Sequence, residues 1–193
     1  MNYEQGFAHH RGVTLLELLI AVAIAAILLG AIVPNVSMII AKSKVTAEVN
    51  LMSSIIQYTR FQAIDKHLPT LLCPSHDFKT CDVTNWQLPK IMFADINGNQ
   101  FRDENEPLMH ASEPIQTGLI MLGPKKTIRF FEDGAMGSTA SVIICPAQSL
   151  ENAAYQSLNR ALFVSLQGRV RLSDDTNSDG IHERGSGTPL TCS

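Results

Sequence analysis

Charge is scarce in these 193 residues: Asp, Glu, Lys and Arg supply 17%, against 45% apolar residues. So little charge places part of the chain out of water, and so much apolar content excludes intrinsic disorder. The 15 basic and 18 acidic residues leave a net charge of -3. The chain is no polycation, so any nucleic-acid contact must use a local patch. Cysteine is sparse as well. Four cysteines are too few for a disulfide-built miniprotein and too scattered for a zinc ribbon. No repeat period is present, which excludes collagen, coiled-coil and solenoid classes. A phosphate-binding glycine loop is missing, and the six histidines (His9, His10, His67, His76, His110 and His182) fall in no nucleophile or metal motif.

What the chain does have is one long apolar run. Residues 13–33 read VTLLELLIAVAIAAILLGAIV and carry a single charge, Glu17. As a helix this run is about 30 Å long, the thickness of a bilayer's hydrocarbon core. A short polar leader precedes it, and Lys42 and Lys44 follow it. A secretory signal peptide cut after Ala23 is one reading, but the apolar run continues well past that site and holds a charge. A plain single-span anchor explains the length and not the charge. An ionisable residue inside such a segment is costly and points to a function.

The segment from Gly12 through Val13, Thr14, Leu15, Leu16 and Glu17 to Leu18 resembles the class III signal of type IV prepilins and type II secretion pseudopilins. The resemblance implies that prepilin peptidase cuts after Gly12, that Val13 becomes the N-methylated terminus, and that Glu17 is the glutamate fifth in the mature chain. Phenylalanine is usual where Val13 stands. Pro34 falls where major pilins carry a helix-kinking proline. Residues 1–12 are then the leader, 13–67 the pilin helix with its transmembrane part at 13–33, and 68–193 a periplasmic head. The expected partners are other pilins or pseudopilins, prepilin peptidase, and the inner membrane before assembly.

Beyond Pro34 the helical pattern becomes amphipathic. Val45, Val49, Met52, Ile56 and Ala63 share one face, as expected of a stripe packed on a head. The helix should end near His67, before Pro69. After Pro69, short β-rich runs alternate with Gly, Pro, Asn and Asp clusters. Strands are expected at 70–73, 91–94, 119–122, 127–131, 141–145, 161–166 and 169–172. Their spacing suits hairpins, so the expected fold is α+β: a long N-terminal helix packed on a C-terminal antiparallel sheet. The order of Cys73, Trp86, the acidic loop from Asp95, Gly134, Cys145 and the run from Leu162 to Arg171 resembles the GspH/FimT group of minor pilins and pseudopilins.

A periplasmic head favours disulfides. Cys73 and Cys81 are near in sequence, which leaves Cys145 for Cys192; a zinc reading through Cys73, His76 and Cys81 lacks a fourth ligand. Two loops carry oxygen ligands at alternate positions. Asp175, Asn177 and Asp179, with Gly180 at position six, resemble the start of a calcium loop, although Ser186 stands at twelve. Asp95, Asn97 and Asn99, followed by Asp103 and Glu106, form a second set with Gln100 at six. Polar turns are the competing reading of both loops.

Gly168, Arg169, Val170 and Arg171 form the GRxR element that FimT-type proteins associate with DNA binding in natural transformation. On a strand both arginines share a face. Residues 118–171 hold six basic and three acidic residues, and Lys125, Lys126 and Arg129 extend the patch if their strand lies nearby. An edge strand protected by charge is the alternative. The acids Asp174 and Asp175 would repel phosphate. No catalytic set emerges, so the chain reads as a structural subunit: a minor pilin that binds double-stranded DNA, or else a type II secretion pseudopilin. A membrane-anchored periplasmic enzyme is the reading from another class.

Overall fold

The computed structural model describes residues 13–185 and 187–192, with the backbone alone between 30 and 35. The expectations for Gly12, the Pro34 side chain and Ser186 lie outside the described residues. The chain divides into two compact units, 1–39 and 40–193.

One helix, α1 (Leu15–Lys66), enters both units. Its start is capped locally: the Thr14 hydroxyl accepts the Glu17 N–H at 3.2 Å, satisfying one donor that a helix terminus leaves unpaired. Glu17 sits in the first turn, where a carboxylate suits the positive end of the helix dipole. In the first unit the large apolar side chains are exposed all round, including Leu15, Leu18, Leu19, Val22, Ile24 and Leu28. Among the described residues no helix is long and apolar enough to cross a membrane; the described apolar side chains stop at 29 and resume at 36.

In the second unit, the rest of α1 buries Val45, Val49, Met52, Ile56 and Ala63, the stripe expected from spacing, together with Ile55. The helix ends at Lys66, and His67 turns the chain away with φ of 53°. Eight strands follow: β1 (Thr70–Pro74), β2 (Lys90–Ala94), β3 (Leu108–Ala111), β4 (Leu119–Leu122), β5 (Ile128–Phe130), β6 (Ala140–Pro146), β7 (Arg160–Val164) and β8 (Val170–Leu172). All pairings are antiparallel. The fold class is α+β.

The strands form two four-stranded sheets rather than one, ordered β3-β2-β1-β5 and β4-β6-β7-β8. Both sheets contribute to one core with α1: Leu72, Met92, Ile128 and Phe130 from the first, Met121, Val142, Ile144, Leu162 and Val164 from the second. Alternate residues point to the opposite faces. On the first sheet these are Leu71, Cys73, Ile91 and Phe93, with Cys81 packed on them. On the second they are Ile143, Cys145 and Ala161, covered by Leu190 and Cys192. Strand β3 was not expected from sequence. It is an edge strand with exposed Leu108 and Ala111, and no alternation marks it.

Candidate functional site

Two disulfides hold coverings onto the faces turned away from the helix. Cys73 is bonded to Cys81, with Cα atoms 5.5 Å apart, and Cys145 to Cys192, at 6.4 Å. The bridges consume both thiols that the zinc alternative requires, so that alternative is excluded: a disulfide sulfur is not a thiolate ligand.

The GRxR element is a hairpin turn and not a full strand. Only Val170 to Leu172 lie in β8, while Arg169 sits in the turn between β7 and β8, where its carbonyl accepts the Ser165 N–H. Gly168 makes that turn, with φ of 73°. A Cβ there would run into the Gly134 carbonyl and the Arg60 side chain. Arg60 itself donates from Nε to the Gly134 carbonyl at 3.0 Å. Glycine is required both by the left-handed backbone and by the close approach of α1.

Arg169 and Arg171 are exposed and line one groove of roughly 920 Å³. Arg184 lines it too, on the segment returning toward Cys192. Sequence reasoning missed Arg184, which no local motif marks. Arg171 lies 5.6 Å from the ring centre of Phe163, its cross-strand neighbour, and 3.2 Å from Asp174. Both members of that ion pair are more than half exposed, so the arginine stays available to an anion.

The other expected cations do not join this groove. Lys126 lines a separate one with Arg129, and Lys125 a third with Trp86. Arg129 is no free cation. Its Nη1 lies 3.7 Å from the buried carboxylate of Asp95, and its guanidinium lies over the Phe131 ring at 5.8 Å.

That pairing decides the first oxygen-rich loop. Asp95 accepts the Gln100 N–H on one oxygen and faces Arg129 with the other. The Asn97 and Asn99 amides both donate to Asp103, at 2.7 and 3.0 Å. Glu106 accepts the N–H groups of Ile96 and Asp103. Gln100 takes the left-handed conformation at φ of 63° that glycine usually supplies there. Asp103 and Glu106 are hydrogen-bonded within this loop, and the Asp95 oxygen that lacks a hydrogen bond faces the Arg129 guanidinium of β5 instead.

The second loop differs. Asp175 accepts the Gly180 N–H at 2.8 Å, and Asp179 accepts that of Ile181 at 2.7 Å. Asn177 accepts the N–H of Asp179 and donates back to its carboxylate. The structure adds Glu183, at position nine of the loop, where the calcium-loop pattern expects its bidentate acid three residues further on. One carboxylate oxygen each from Asp175, Asp179 and Glu183 lies within 4.8 Å of the others.

The family model described as Type II transport protein GspH matches residues 48–178. The chain belongs to the GspH family. A second model, the prokaryotic N-terminal methylation motif, matches residues 7–33. Among solved structures the chain is similar to the type IV minor pilin FimU of Pseudomonas aeruginosa, at 13% identity and a TM-score of 0.49, over 69% of this chain and 88% of that one. It is also similar to the minor pseudopilin EpsH from the type 2 secretion system of Vibrio cholerae, at 11% identity and 0.47, over 67% and 95%. No curated protein matches by sequence. As a GspH-family chain with the methylation motif, it is a type IV pilin-like minor subunit that assembles with other pilins, and a structural protein rather than an enzyme.

Proposed function

We propose that the chain is the precursor of a minor pilin of a type IV pilus whose displayed head holds double-stranded DNA. Prepilin peptidase cuts between Gly12 and Val13, Val13 is methylated, and the apolar helix rests in the inner membrane with the head in the periplasm until assembly. The observation that carries the DNA reading is the groove lined by Arg169, Arg171 and Arg184. Three guanidiniums contact phosphates and supply no base code, so binding is weak, sequence-independent and salt-sensitive.

The test is fluorescence anisotropy of duplex DNA with the mature full chain in detergent, titrated at several salt concentrations. Binding is expected at low salt. Replacing Arg169, Arg171 and Arg184 by glutamine should weaken it and flatten the salt dependence by roughly one unit of slope per phosphate contact removed. No binding at low salt, or an unchanged slope in the variant, overturns the DNA reading. Mass spectrometry of the mature terminus tests processing: a chain starting at Ile24 would indicate a secretory signal and sink the pilin precursor.

A second reading, a minor pseudopilin of a type II secretion system, is favoured by the description of the family model itself. Deletion in the host separates the two. Loss of pili and of DNA uptake supports the first reading, and loss of secreted enzymes with pili intact supports the second.

A further inference from the structure

We infer that the loop from Asp175 to Glu183 is a calcium site, with the carboxylates of Asp175, Asp179 and Glu183 as its protein ligands. Three carboxylate oxygens lie within 4.8 Å of one another, and among the described residues no cation is paired with any of these three groups. Glu183 is the decisive member. It is 3% exposed, yet its Oε1 is buried without a hydrogen-bond partner. Its other oxygen is used, accepting the Thr176 N–H at 2.8 Å and hydroxyl at 2.9 Å. Those two bonds orient the carboxyl group and leave Oε1 as the free ligand oxygen. A buried, unpartnered carboxylate oxygen beside two further carboxylates is unfavourable unless a cation joins them.

The chain contains its own control. In the loop from Asp95 to Glu106, with the same alternation of oxygen side chains, the Arg129 guanidinium supplies the positive charge. Among the described residues no equivalent arginine serves Glu183, so the positive charge is supplied from outside. The donor set selects the ion. All three ligands are hard oxygens, whereas zinc favours nitrogen and sulfur. The one nearby imidazole, His182, is held by Nδ1 to the Ser173 carbonyl at 2.6 Å. Three carboxylates at positions one, five and nine of a loop suit calcium, with water completing the shell; magnesium is usually held by one or two carboxylates. Bound calcium would fasten the loop after β8 to the tail, because Glu183 bridges to Pro189 just before the Cys192 disulfide.

The experiment uses the full chain in detergent, stripped with a chelator and titrated with calcium chloride, and with magnesium chloride in parallel. Calorimetry should show one calcium per chain, with a Kd of about 10⁻⁴ to 10⁻³ M as in extracellular modules, and much weaker magnesium binding. Calcium at a hundredfold excess over Kd should raise Tm by roughly 5–10 °C. Glu183→Gln should weaken binding at least tenfold. Asp179→Asn should do the same; Asp179 is exposed, so that variant folds and keeps the test valid even if Glu183→Gln does not. Asp103→Asn should leave calcium binding unchanged. The inference is overturned by an absence of saturable calcium binding, by binding that survives Asp179→Asn, or by binding lost in Asp103→Asn.

Discussion

Lys90 shows how a single residue can work against the fold that holds it. It is 2% exposed, at the start of β2, and its Nζ finds no hydrogen-bond acceptor among the described residues. Burial pushes its amine from 10.5 down to about 8, against the opposing pull of Glu48. Burial pushes the Glu48 carboxyl up, against the pull of Lys90 and of a backbone donor at Gln116. The signs follow from proton counts. Between about pH 8 and 10.5 the unfolded chain still holds the Lys90 proton that the folded chain has released, so stability rises with pH there. Above 4.5 the folded chain keeps the Glu48 proton longer than the unfolded chain, so stability falls as pH rises through that window. Lys90→Met with Glu48→Gln should therefore be neutral or stabilising by about 1–3 kcal/mol at pH 7, and should remove the alkaline rise. Urea unfolding from pH 5 to 10 decides this, and a double variant that is clearly destabilised and keeps the slope contradicts it. A second case at this scale contrasts two glycines. Gly118 has φ of 89° and open space around it, while Gly168 has φ of 73° and neighbours on its Cβ side. Gly118→Ala should cost about 1 kcal/mol from backbone strain alone. Gly168→Ala adds a clash with the Gly134 carbonyl and should cost at least about 2 kcal/mol. Equal losses in the two melts would mean that the hairpin yields without strain.

At the scale of elements, strand alternation explains where the disulfides act. Cys73 on β1 and Cys145 on β6 both point away from α1. Each therefore anchors a loop or tail over a sheet face that the helix cannot cover. The Cys73–Cys81 bridge spans 8 residues and the Cys145–Cys192 bridge 47. Chain-entropy arguments assign roughly 2.5 kcal/mol to the short closure and roughly 4 kcal/mol to the long one. Paired serine substitutions should keep that order in denaturant midpoints. The long bridge has the further role of holding Leu190 over Ile143 and Ala161, so its loss should also expose amides on the outer face of β6 and β7 to hydrogen exchange. Greater destabilisation from losing the short bridge would contradict this account.

At the scale of the whole molecule, the first unit is an apolar helix with its large side chains exposed, and such a surface requires lipid or other helices around it. Glu17, the one carboxylate among its described residues, needs a partner there. Under the proposed function, that partner in a filament is a neighbouring subunit's Val13 amine, set free by the proposed cleavage. Glu17→Leu keeps the Thr14 cap, because that bond uses the Glu17 backbone N–H. Any defect therefore reports on the carboxylate and not on loss of the Thr14 cap. The variant should enter membranes and be processed normally, yet be missing from filaments sheared off cells. Immunoblots of membrane and sheared fractions check this, and normal incorporation removes the role.

Local pattern was enough for the parts that rest on local forces. A 3.6-residue stripe marked the buried face of α1, seven of the eight strands stood out as short, mostly apolar runs between turn residues, and the apolar run around Glu17 pointed to the methylation motif. Tertiary structure decided the rest. Strand β3 has no period to reveal it and forms because β2 offers an edge. The division into two sheets comes from pairing partners far apart in the chain, such as β1 with β5. Arg184 joins Arg169 and Arg171 only because the tail folds back toward Cys145. The two acidic loops read alike as strings of Asp and Asn. Folding places Arg129 beside Asp95 and, among the described residues, no paired cation beside Glu183. The charge state of a buried carboxylate depends on what surrounds it in space, and spacing along the chain does not contain that information.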